Sequence, residues 1–114
     1  MSRILFDQGT PVPLREFLKP HTIHTAFEQG WATLKNGELL DRAESDGFEI
    51  LITTDRNLRY QQDLNDRRIA IVVISSTSWP RIQLHVQQII VAIEQAKIGS
   101  YIEIQIEPSR SIGR

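Results

Sequence analysis

Ile50-Leu51-Ile52-Thr53-Thr54-Asp55-Arg56-Asn57, ILITTDRN, is the stretch that decides the fold. Aliphatic and β-branched residues follow Glu49 without interruption, so the spacing predicts a strand over 49–53 that is covered on both faces. That strand ends on a carboxylate, Asp55. Arg3-Ile4-Leu5-Phe6 does the same at the start of the chain and is followed by Asp7-Gln8-Gly9. In open α/β sheets, ligands sit beyond the carboxyl ends of the strands. Two acids delivered there by separate strands can face one cavity, a geometry that suits a hard divalent cation with oxygen ligands.

Around these two strands the elements alternate. Thr10 to Leu18 reads as a short helix with Pro11 in its first turn, ended by Pro20. His21 to Thr25 reads as a second strand and Ala26 to Gly30 as a helical turn. Asn36-Gly37 opens a helix over Glu38 to Ser45, with Leu39, Leu40 and Ala43 on one side, and Asp46-Gly47 closes it with a glycine suited to a left-handed cap. Asn57 to Asp63 reads as helical and 64–68 as a polar connection. Ile69 to Ile74, IAIVVI, is a strand buried on both faces. Ile82, Val86, Ile89, Ile90 and Ile93 repeat at helical spacing in a helix over Arg81 to about Ala96, with Ser78 as its cap. Tyr101 to Ile106, YIEIQI, alternates as a half-exposed edge strand should.

Strands separated by helices imply right-handed crossovers and a mainly parallel sheet. The expected fold is a three-layer α/β/α domain with a mainly parallel four-stranded sheet plus a C-terminal edge strand. The 114 residues suffice for one domain over residues 1–107, with a polar tail over 108–114.

There is no cysteine, which excludes disulfides and thiolate zinc sites. Lys and Arg number 13 against 14 Asp and Glu, a formal net charge of -1. That balance counts against a protein held to nucleic acid by non-specific phosphate contacts alone, but not against an enzyme that engages a phosphodiester briefly. No signal peptide and no membrane span are expected, which reads as a cytoplasmic protein. His21 and His24 lie three apart on a strand and point to opposite faces, so they do not chelate together.

The segments ILFDQGTPVPLREFL, TAFEQGW, NGELLDRAESDGFEILITTDRNL and IAIVVI resemble the small stand-alone PIN-like domains of bacteria, relatives of the toxin nucleases of toxin–antitoxin pairs. The likeness runs from about Ile4 to Glu94 and is most specific from Asn36 to Leu58. It implies magnesium or manganese, ribonuclease chemistry on RNA, an antitoxin-like protein partner and a homodimer. By this resemblance, Asp7 matches the metal-binding acid after the first strand and Asp55 the acid after the third, the catalytic pair. The family's acid at the helix start falls on Asn36, and the second acid of the last motif on Asn57. Glu38 stands close enough on the same helix to substitute as a ligand. Thr53 and Thr54 are candidates for hydrogen-bonding the carboxylates or orienting a water, and Arg56 and Arg59 for holding a phosphate near Asp55.

Two other functions stay open on the sequence. A PIN-like domain that has lost catalysis would serve as an RNA- or protein-binding module, which the two asparagines favour. A receiver-like regulatory domain also gathers acids at strand ends, but this chain lacks an acidic pair directly after the first strand and a convincing late lysine.

Overall fold

The computed structural model describes residues 2–58, 63–64 and 66–106. Five strands form one sheet: β1 (Arg3–Phe6), β2 (Thr22–Thr25), β3 (Ile50–Thr53), β4 (Ala70–Ile74) and β5 (Tyr101–Ile104). All neighbouring pairs are parallel and the order is β2-β1-β3-β4-β5. The four strands and the C-terminal edge strand expected from the pattern are therefore all present, with β2 forming the second edge. The α-helices whose extents lie within the described residues are α1 (Asn36–Ser45), α2 (Trp79–Ile82) and α3 (Val86–Gln95).

Strand alternation splits the core into two layers. Ile4, Phe6, Ile50, Ile52, Ala70, Val72, Ile74 and Ile104 point to one face, where Ile82, Ile89, Ala92 and Ile93 of α2 and α3 cover them. Leu5, Leu51, Ile71 and Val73 point to the other, against Leu39, Leu40 and Ala43 of α1 together with Trp31 and Phe48. Even-numbered positions thus pack on one side and odd-numbered ones on the other, as a period of two requires. Both sides being covered explains why β3 and β4 read as unbroken apolar runs.

The end of α1 is a Schellman motif. Gly47 takes φ 84°, Phe48 N–H donates to Ala43 O at 2.9 Å, and Gly47 N–H donates to Glu44 O at 3.1 Å. Phe48, the residue after the glycine, is thereby turned inward, where its ring meets Trp31 edge-on at 6.0 Å.

Several expectations need correction. The helix expected over Thr10–Leu18 is a 3₁₀ helix, Val12–Phe17. Leu14 N–H bonds to Pro11 O and Leu18 N–H to Arg15 O, both at 3.2 Å, the three-residue reach of a 3₁₀ turn. Ala26–Gly30 is a run of turns rather than a helix. The single helix expected over Arg81–Ala96 is α2, a 3₁₀ turn at Gln83–His85, and α3. Gln83 and Leu84 are exposed, so no core contact holds the α-helical pitch at that point. Ser78 precedes α2 but makes no capping bond with its side chain. Of the helix expected over 57–63, only Leu58 is helical among the described residues; Arg59 and the tail over 108–114 lie outside them. No described helix is long and apolar enough to cross a membrane.

Candidate functional site

The strand order places a topological switch between β1 and β3. The chain leaves β1 to one side to form β2 and returns to its other side for β3. The connections after β1 and β3 therefore part company, leaving a crevice at their carboxyl ends. Asp7 follows the last residue of β1, and Asp55 stands two residues past the end of β3.

Asp7 extends the β1–β3 ladder by one step, its N–H donating to Ile52 O at 3.1 Å. That register sets its carboxylate beside Thr53, whose hydroxyl donates to Asp7 Oδ2. On the other oxygen, Asp7 Oδ1 accepts from Gly9 N–H at 3.1 Å and from the Thr10 hydroxyl at 3.0 Å. The Thr10 hydroxyl also lies 2.9 Å from Ile52 O, so its proton is shared across the two strands. Thr10, Thr25 and Thr53 are the buried polar residues among those described. All three stand at or just past the carboxyl edge of the sheet, where hydroxyls find partners that the core lacks.

Asp55 is built the same way. Its Oδ1 accepts from Asn57 N–H at 3.0 Å, an Asx turn matching that of Asp7 with Gly9. Its own N–H donates to Thr53 Oγ1 at 3.0 Å. Thr53 thus links the acids directly, accepting from the backbone of one and donating to the side chain of the other. From α1, Asn36 Nδ2 donates to Asp55 Oδ2 at 2.8 Å.

Burial holds the Asp7 carboxyl above its ordinary value, and the negative charge of Asp55 adds to the effect. The Thr53, Thr10 and Gly9 donors pull the other way without overcoming it. Two half-buried acids joined through Thr53, with the charge of one felt by the other, therefore favour a cation, and their oxygens are the hard donors magnesium and manganese prefer. Each carboxylate oxygen has two lone pairs, and only Asp7 Oδ1 accepts two of the bonds described above. A magnesium ion is commonly held by one or two carboxylates with water or phosphate completing its shell. The residues present fit that arrangement. No group of three or more His, Asp or Glu side chains suited to a metal occurs among the described residues.

The residues singled out in the sequence are placed unevenly. Asp7, Asp55 and Asn36 come together. Asn36 is the first residue of α1, not its N-cap, so its amide is available to Asp55; Lys35 occupies the cap position. Glu38 is exposed and accepts from Lys35 N–H at 3.4 Å, which spends its carboxylate on the start of its own helix. Asn57 reaches Asp55 through its backbone. Arg56 is exposed on the turn beside Asp55, and Thr54 is half-buried against Gly9. The histidines have separate partners, His21 Nδ1 accepting from Ser2 N–H at 3.0 Å and His24 meeting the Phe48 ring edge-on.

Gly9 and Thr10 were not evident as site residues, whereas Thr53, a candidate for hydrogen-bonding the carboxylates, does so. Thr53 also reads as an ordinary strand residue until β1 and β3 are paired. Thr10, three residues after Asp7, carries a weak signal in the D-x-G-T spacing of a turn. Gly9 is required by space: a Cβ there would collide with Thr54 Oγ1. No family model matches this chain, and neither a curated protein nor a solved structure does so.

Proposed function

We propose that this chain is a PIN-like, metal-dependent ribonuclease of the toxin–antitoxin type, acting in the cytoplasm. The observation that carries the reading is the convergence of Asp7 and Asp55 on the switch-point crevice, with burial and mutual repulsion leaving the pair short of positive charge. Asp7 and Asp55 would hold magnesium or manganese; bound there, the ion supplies Lewis acidity for phosphodiester hydrolysis. Thr53, Thr10 and Gly9 fix the Asp7 carboxylate in one orientation, and Asn36 does the same for Asp55. Such fixed ligands avoid reorganisation when charge develops on the phosphate. Arg56, on the exposed turn, would meet the RNA backbone. An antitoxin-like protein and a second copy of the chain are the partners this reading carries with it.

One specific observation favours a second reading, a catalytically weakened module that binds RNA or a protein. Asn36 brings an uncharged amide where a third acid would strengthen the metal site, and its Nδ2 faces Asp55 as a donor. Calorimetric titration with manganese, followed by incubation with single-stranded RNA, separates the two. Metal binding and cleavage, both lost in Asp7→Asn, support the nuclease. Binding of RNA without cleavage supports the module, and absence of manganese binding at millimolar concentration removes the nuclease reading.

A further inference from the structure

A cavity of about 330 Å³ opens directly from Asp7 toward the end of β2, bounded among others by Gln8, Thr10, Val12, Phe27 and Glu28. Its volume lies at the small end of ligand sites. Two of its apolar walls are unusually bare: Phe27 is 77% exposed and Val12 55%. Phe27 belongs to the turn after β2, and neither buried cluster includes it.

The acidic lining decides what can enter. Asp7 and Glu28 both border the cavity, so a phosphate placed inside would meet two carboxylates. Glu28 is held rigidly: its Oε1 accepts from Arg15 at 2.7 Å and from Thr25 N–H at 3.0 Å, while its own N–H donates to Thr25 Oγ1 at 3.0 Å. The Arg15 guanidinium and the Thr25 amide keep this carboxyl below its usual range, hence charged and an acceptor only. A neutral, flat group with an aromatic face and a hydrogen-bond donor on its edge satisfies every wall. Aromatic side chains serve single-stranded nucleic acids as stacking platforms in this way, and a carboxylate can accept from the amino group of cytosine.

Building on the nuclease reading, we propose that this cavity seats one nucleobase bearing an exocyclic amino group, stacked on Phe27 with its amino edge toward Glu28. The base belongs to the nucleotide next to the phosphate held at Asp7 and Asp55. Gln8, on the turn between Asp7 and Gly9, offers both a donor and an acceptor to the same base edge. The site thus prefers the amino-bearing bases cytosine, adenine and guanine over uracil, whose only base-pairing donor, N3–H, lies between two carbonyl oxygens that the Glu28 carboxylate repels.

The test uses the full chain and two probes. In the first, cytidine, adenosine and uridine are titrated without metal, and side-chain NMR signals of Phe27 and Thr10 are followed. Cytidine and adenosine should shift them and uridine should not; equal response to uridine, or no response to any nucleoside, overturns the proposal. In the second, affinity for a short single-stranded RNA is measured with calcium in place of manganese. Phe27→Ala should weaken it about five- to 150-fold, and Phe27→Trp should restore it. Unchanged affinity in Phe27→Ala overturns the base subsite. Manganese titration of Phe27→Ala should match that of the unaltered protein. The two readings fail separately: nucleoside binding without RNA cleavage keeps the subsite and removes the nuclease, and cleavage indifferent to Phe27 does the reverse.

Discussion

The Asn36 side chain donates to Asp55 Oδ2 at 2.8 Å, tying the first turn of α1 to the loop after β3. An amide in this position steadies the carboxylate without repelling it. Asn36→Asp should reverse that balance. In chelator the variant should unfold at lower temperature than the parent, because two carboxylates then face each other. With manganese it should gain more than the parent, and a tenfold tighter affinity would correspond to about 1.4 kcal/mol. Equal manganese affinity in the two proteins would mean that position 36 does not reach the ion.

The pH dependence of the metal-free protein should carry the mark of Asp7. Its folded pKa is raised above the ordinary 3.8, so between those two values the folded state binds more protons than the unfolded state. The stability this contributes is fully present below the unfolded value and is lost as pH rises through the folded one. Urea denaturation in chelator should therefore show a decline across that window which Asp7→Asn lacks. An identical pH profile for the two proteins would remove the argument that the pair is short of a cation.

Thr53→Val tests the link between the acids. The substitution keeps the shape and removes the donor to Asp7 and the acceptor for Asp55 N–H. A hydrogen bond to a charged group contributes about 1.5–3 kcal/mol, and a loss of that size is expected by denaturant unfolding. The decline with pH should also extend to higher pH, since one of the forces lowering the Asp7 pKa is gone. A loss below about 0.5 kcal/mol, well short of this range, would indicate that the hydroxyl does not hold the carboxylate.

Gly9 and Thr54 can be tested as a pair. Gly9→Ala alone forces its new methyl group against Thr54 Oγ1, and overpacking of this kind costs about 1–3 kcal/mol. In a Thr54→Ala background the obstructing oxygen is absent, and the same glycine substitution should cost markedly less. A double-mutant cycle reads the difference directly. Simple additivity would show that the two turns do not pack as described.

A change in the core provides the contrast. Ile52 is fully buried in the β3 ladder beneath α2 and α3. Ile52→Ala should cost about 2–5 kcal/mol, measured by denaturant unfolding, and manganese should recover little of it.

The layers and strands of this fold were legible because its apolar patterns are clean. IAIVVI and ILIT can only be strands covered on both sides, and YIEIQI can only be an edge. Asp7 and Asp55 were visible for the same reason, as abrupt charges at the ends of apolar runs. The breaks within the 10–18 and 81–96 segments were less legible. Local pitch there depends on which carbonyls Leu14 and Leu18 reach, and on whether anything packs on Gln83 and Leu84. Thr53 could be named from sequence as a partner of the carboxylates but not ranked above Thr54, because it matters only through its register with Asp7. Nor does the strand order select the chemistry, since β2-β1-β3-β4-β5 is common among doubly wound sheets.

The alternation that builds the two packed layers stops at Phe6 on β1 and at Thr53 on β3. The turn residues just beyond, Asp7, Gln8, Asp55 and Arg56, belong to neither packed cluster, so substitutions there are screened by what they do to ligands more than by whether the chain folds. Descendants of this scaffold could exchange an acid for an amide at these turns and keep their architecture intact. Shape and reactivity are free to evolve at different speeds in such a molecule.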